Sequence, residues 1–202
     1  MKRAAALDGL LRRGLVWRGG EAEEGREERI GTGFSALDEA IGGWPRQGLV
    51  ELISSAGQGL SLLLPLLRRL SGEERWLAWV NPPGRLHVPA LAVRGVPAER
   101  LLMVRGGAEG AWATEQLLRS GGCSLVLFWP GRIASVRLRR LQLAAETGRS
   151  LGVLFRPVAA QEQASPAVLR LRLEGGGDRL RVMVLKRRGG WSGARVTVAC
   201  AG

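Results

Sequence analysis

The chain has 202 residues, 46% of them hydrophobic, enough for one well-buried domain and short for two. Thirty basic residues against 18 acidic ones give a formal charge of +12 and a pI near 11.5, which directs attention to polyanions or an acidic partner. No apolar run approaches the roughly 18–20 residues of a bilayer span, the N-terminus has no continuous apolar signal core, and two cysteines with one histidine offer no metal-ligand or Cys/His catalytic spacing.

The expected location is therefore cytoplasmic, with no cofactor, no metal and no membrane contact. Cys123 opens an apolar run and reads as a small core residue. Only Lys2 and Lys186 are lysines, so a GC-rich coding sequence accounts for part of the arginine excess.

Apolar residues at Ala4, Leu7, Leu11 and Leu15 predict an N-terminal helix, followed by Trp17, a Gly19-Gly20 break and a charged tether over Glu21 to Glu28. The expected organisation is an arm over residues 1–29 and one α/β domain over 30–202. Ser35 is a candidate N-cap for a helix over Ala36–Ile41, which Gly42-Gly43 would end. Strands are predicted at 49–53, 76–80, 101–104, 125–129, 151–155, 169–173 and 180–185. Helices are predicted between most of them, at 60–70, 88–94, 111–120 and 135–147. Continuously apolar strands alternating with helices imply a mostly parallel sheet covered on both faces. The helices stop after Ser165, so the last strands are expected to be antiparallel additions.

The strand Leu49–Ile53 runs into Ser54-Ser55-Ala56-Gly57-Gln58-Gly59-Leu60-Ser61 and then an apolar helix. A phosphate-binding loop reads G-x-x-x-x-G-K-[ST] in this setting, its lysine reaching the β/γ-phosphates. Gly59 and Ser61 fit that register, whereas Ser54 replaces the first glycine and Leu60 replaces the lysine. Leucine cannot neutralise a triphosphate.

The order of these pieces from Ile30 to Leu185 resembles the RecA core, and the stretch Gly31 to Leu52 is similar to the RecA segment leading into its phosphate loop. The resemblance implies a Mg²⁺-linked aspartate where Trp129 stands, a water-activating glutamate where Pro83 stands, and an Asn-Gln pair where Phe155-Arg156 stand. Phosphoryl transfer needs such groups, so the chain is expected to be a pseudo-ATPase and not an enzyme. Within RecA-like proteins the chain resembles the ImuA family through Trp44-Pro45-Arg46-Gln47-Gly48, Asn81-Pro82-Pro83, Glu115 to Gly121, Leu138 to Glu146, Phe155-Arg156-Pro157, Ser165 to Leu171 and Leu185 to Gly190.

That resemblance implies an accessory role in damage-induced translesion synthesis (DNA repair, mutagenesis and the SOS response), with error-prone polymerase subunits including an ImuB-like protein as partners. DNA contact is expected through Arg137, Arg139, Arg140, Lys186, Arg187 and Arg188, as arginine forks suit phosphates. Protein contact, including self-association or a RecA contact, is expected through Leu7, Leu11, Leu15, Trp17 and Trp191. Trp76, Trp79 and Trp129 are expected in the core. An alternative reading is a division inhibitor similar to SulA, also RecA-like without ATPase activity, which caps a tubulin-like division protein.

Overall fold

A computed structural model describes residues 28–55, 58–176 and 178–200. The first element is a two-stranded antiparallel ribbon of β1 (Arg29–Ile30) and β2 (Trp44–Pro45), which brackets α1 (Ser35–Ile41). Ser35 is not the cap: Phe34 takes that position in extended conformation. The fixing bonds come from further out, as the Thr32 amide donates to Asp38 Oδ1 at 2.8 Å and the Phe34 amide donates to Thr32 Oγ1 at 3.1 Å. Gly42 ends the helix at φ 70°, donating to the Asp38 carbonyl.

Next come β3 (Gly48–Ile53), α2 (Leu60–Leu70), β4 (Trp76–Val80), α3 (Val88–Val93), β5 (Leu101–Val104), α4 (Gly110–Arg119), β6 (Cys123–Phe128), α5 (Ser135–Thr147) and β7 (Leu151–Arg156). The chain closes with β8 (Leu169–Gly176), β9 (Arg179–Arg187) and β10 (Arg195–Ala199). Among the described residues these strands form one eight-stranded sheet in the order β10-β9-β8-β3-β7-β6-β4-β5. Six neighbouring strands, β8 to β5, run parallel, and β9 and β10 extend the sheet antiparallel. The antiparallel expectation thus holds for β9 and β10 but not for β8, which lies parallel to β3 with Glu51 opposite Arg170. The expected N-terminal arm falls outside the described residues.

Alternation along the strands sends side chains to two cores. Val50, Leu52, Val153, Leu171 and Val182 face α1 and α2, whose Leu37, Ile41, Leu62 and Leu66 are fully buried. Leu49, Val126 and Leu154 face α4 and α5 through Leu118, Leu138 and Leu141. Both faces of the central strands are covered, which is why β3, β6 and β7 are buried along their whole length. No helix among the described residues is long and apolar enough to cross a membrane.

Candidate functional site

The turn after β3 begins at Ser54, whose amide donates to the Arg156 carbonyl at 3.0 Å and whose hydroxyl donates to the Gln58 carbonyl at 3.3 Å. Gly59 follows at φ 122°, a conformation open to glycine. A Cβ on Gly59 would lie 2.6 Å from Leu173 Cδ1, 3.2 Å from Leu52 Cδ1 and 3.7 Å from Phe155 Cε1. Apolar side chains therefore press against the loop where a nucleotide-binding protein leaves room for phosphate. Leu60, in the lysine position, is half-buried and packs on the same core.

The filling continues across the sheet. Trp79 on β4, Trp129 just beyond β6 and Phe155 on β7 form a stack over the C-terminal ends of the parallel strands. The Trp79–Trp129 centroids are 5.7 Å apart and the Trp129–Phe155 centroids 4.2 Å apart, with the second pair of planes 1° from parallel. Offset aromatic pairs contribute about 0.5–1.5 kcal/mol each beyond burial. In a parallel α/β sheet, ligands bind outside these strand ends. The Trp129 ring stands at the position where the RecA resemblance implied a metal-linked acid. No group of three His, Cys, Asp or Glu residues that could hold a metal occurs among the described residues.

The position where the resemblance implied a water-activating acid lies in the segment that follows β4. After β4 the chain enters Asn81 at φ 51°, a left-handed backbone held by its own side chain. Asn81 Nδ2 donates to the Gly107 carbonyl at 2.9 Å, and Asn81 Oδ1 accepts from the Gly107 amide at 3.1 Å. Asn81-Pro82-Pro83 is thus a strand-end clamp, with Pro83 exposed.

The basic residues selected from sequence do not form one surface. Arg140 donates to the buried carboxylate of Glu115 at 2.9 Å, which also takes Arg119 at 2.9 Å. Arg137 and Arg139 are exposed on α5 and make no hydrogen bond or ion pair among the described residues. Lys186 donates to the Ser165 carbonyl at 2.8 Å, while Arg187 crosses the sheet to the Ala40 carbonyl at 3.2 Å. Burial, then the neighbouring Arg188 and Arg170, lower the Lys186 pKa. Arg188 pairs with Glu146 at 3.2 Å. Consecutive strand residues point to opposite faces, so a dense run in sequence becomes separate structural contacts. Of the tryptophans expected in the core, Trp79 is buried and Trp129 half-buried, but Trp76 is 45% exposed. Trp191 is 92% exposed between β9 and β10, and Leu7, Leu11, Leu15 and Trp17 lie outside the described residues.

Sequence reasoning missed the buried ion cluster beside the loop. Glu51, fully buried on β3, accepts from Arg156 Nη1 at 2.9 Å and from Arg170 Nε at 2.6 Å on the two flanking strands. Arg156 continues to Gln163 Oε1 at 2.6 Å, and Arg170 to the Ala160 carbonyl at 2.8 Å. Burial lowers the Arg156 pKa, and Glu51 opposes that shift. The available signal was a lone glutamate inside the apolar strand Leu49 to Ile53. Its three-strand network gives Arg156, read as a lost nucleotide-coupling position, a structural task.

These features define a mixed α/β fold with a mostly parallel central sheet flanked by helices, whose strand ends are filled by apolar side chains. The crystal structure of the RadB recombinase superposes with a TM-score of 0.64 at 14% identity, covering 83% of this chain and 94% of that one, which supports the fold alone. The family profile described as "Cell division inhibitor SulA" matches residues 50–152. Cell division inhibitor SulA of Edwardsiella piscicida is 37% identical over 118 residues, covering 56% of this chain and 70% of that protein. SulA of Pectobacterium atrosepticum is 33% identical over 119 residues, covering 56% of this chain and 71% of its own. The chain belongs to the SulA cell division inhibitor family.

This membership overturns the ImuA reading and with it translesion synthesis, DNA repair and mutagenesis as the role and polymerase subunits and DNA as the partners. The physical reason lies in the motifs that carried it. Glu115 with Arg140, Glu146 with Arg188 and the Asn81 clamp hold the fold together, so they do not separate one RecA-like family from another. The alternative given beside that reading agrees with the family found.

Proposed function

We propose that this chain is a non-catalytic, cytoplasmic inhibitor of cell division that acts by binding a tubulin-like division protein and limiting its assembly. The observation that carries the reading is the Trp79–Trp129–Phe155 stack, together with Leu173 against Gly59, in the place where a RecA-type enzyme holds nucleotide. With that space filled and the lysine position taken by Leu60, the scaffold retains surfaces for protein contact and lacks groups for phosphoryl transfer. Membership in a family of division inhibitors supports the partner class.

Residues 30–202 act as the binding domain and residues 1–29 as an arm. Trp191 on the domain and Leu7, Leu11, Leu15 and Trp17 on the arm are proposed as protein contacts, since exposed aromatics anchor interfaces. Induced expression in growing cells of the source organism tests the function. Undamaged cells should elongate without septa; continued normal division with the folded protein present at high level would overturn the proposal.

A further inference from the structure

The end of the sheet formed by β8, β9 and β10 lies beyond the segment matched by the family profile, and its two faces differ in chemistry. One face carries Leu180, Val182, Val184 and Val198 into the core under α1. The other has Arg172, Met183 and Arg195 in register across the three strands, with Glu174, Arg181 and Thr197 in the next row. Arg179, opposite Ala199, follows at the end. Arg179, Arg181 and Arg195 are exposed and make no hydrogen bond or ion pair among the described residues. Glu174 is already paired with Arg172 at 3.0 Å. A trough of about 330 Å³ runs over this face, lined by Arg172, Glu174, Arg181, Met183, Arg195 and Thr197.

The strand β10 ends the sheet, and among the described residues it pairs on one side only. Its sequence alternates Arg195, Thr197 and Ala199 on the basic face with half-buried Val196 and buried Val198 on the other. A strand added beside β10 would sit about 4.8 Å away. Acidic side chains at its alternate positions would meet Arg195 directly. Arg181 and Arg179 lie one strand further in, about 9.6 Å from the added strand, and their long side chains would meet the acids over the short side chains of Thr197 and Ala199. Apolar side chains at the intervening positions would extend the row of Val196 and Val198. A second copy of this chain is a poor occupant, because edge-to-edge pairing would bring its own Arg179, Arg181 and Arg195 onto the same face, and charged edges resist such pairing.

We infer that β10 is a docking edge for an extended polypeptide segment of alternating acidic and apolar residues, which adds to the sheet as a further strand with its acids over Arg179, Arg181 and Arg195. Backbone hydrogen bonds supply the pairing, and the arginine face selects the charge. This surface is independent of the division-protein reading, since it needs no particular partner identity.

The test is fluorescence anisotropy with the full chain and a labelled Val-Glu-Val-Glu-Val-Glu-Val peptide at low salt. The peptide should bind, and Arg181→Glu combined with Arg195→Glu should weaken it by about tenfold or more, as two exposed ion pairs are turned into repulsions. The neutral pair Arg181→Gln and Arg195→Gln should give an intermediate loss. Arg137→Glu with Arg139→Glu on α5 should change nothing. Peptide methylated on alternate backbone nitrogens should lose binding. Equal binding by the methylated peptide would overturn strand addition. Indifference to the β9–β10 substitutions would overturn the site. A single-stranded oligonucleotide that displaced the peptide, and whose own binding fell with the same substitutions, would make this a nucleic-acid surface and overturn the choice of partner.

Discussion

Trp129 lies flat against Phe155, with ring centroids 4.2 Å apart and planes 1° from parallel, bridging the ends of neighbouring parallel strands. The contact sets a residue just beyond β6 against one near the end of β7, the strand beside β3. Because Phe155 is buried among Gly59, Trp129 and the cluster around Leu52, Phe155→Ala should destabilise the fold by about 3–5 kcal/mol. Chemical denaturation followed by tryptophan fluorescence measures this loss.

Restoring one phosphate-binding group should not restore nucleotide binding. Leu60→Lys supplies a cation, but Leu173 and Phe155 still press against Gly59. Calorimetric titration with MgATP should give no heat of binding for either the parent chain or this variant. Gly59→Ala should be destabilised, since its backbone sits at φ 122° and its Cβ would meet Leu173 at 2.6 Å.

Among the described residues Glu51 is the only carboxylate paired with Arg156 and Arg170. Glu51→Gln leaves two buried guanidinium groups without their counter-charge and should cost about 3–5 kcal/mol, the range for breaking a buried pair from one side. Thermal unfolding at neutral pH reads the effect directly. An unchanged melting temperature would show that Arg156 and Arg170 are held by Gln163 and the Ala160 carbonyl alone.

Burial pushes the Cys123 thiol up to about 11, against which Arg75 acts weakly. The native state therefore holds this proton more tightly than the unfolded chain, whose thiol titrates near 9.0. The stabilisation is complete below about pH 9 and is lost as the pH rises through about 11. Cys123→Ala should remove this component, so its melting temperature should fall less than that of the parent between those pH values. Native Cys123 should also resist alkylation at pH 8, because the thiolate is the reactive form.

Much of the architecture was legible because the signals were local and periodic. The spans predicted for α2, α5, β4 and β5 match the observed bounds. The β1–β2 ribbon was not legible, since Ile30 and Trp44 pair across a helix and two residues make no periodic pattern. The direction of β8 depends on which neighbour it finds, and that is a tertiary choice. The ion pairs of Arg140 and Arg188 are likewise non-local, so a charge run in sequence could not be separated from a surface patch. The family was not legible for a related reason: the shared motifs serve the common scaffold and do not separate one family built on it from another.

Trp191 is so exposed that Trp191→Ala should leave the melting temperature within about 0.5 kcal/mol equivalent of the parent. If it contacts the division protein, the same substitution should weaken inhibition several-fold. Full inhibition by the variant would place the contact elsewhere on the domain.

The central claim is tested most directly by sedimentation of the purified tubulin-like division protein from the same organism, assembled with GTP in the presence of increasing amounts of this chain. The expected result is a stoichiometric fall in pelleted polymer that needs no ATP and persists when MgATP is added. Unchanged polymer at several-fold molar excess of folded protein would contradict the account.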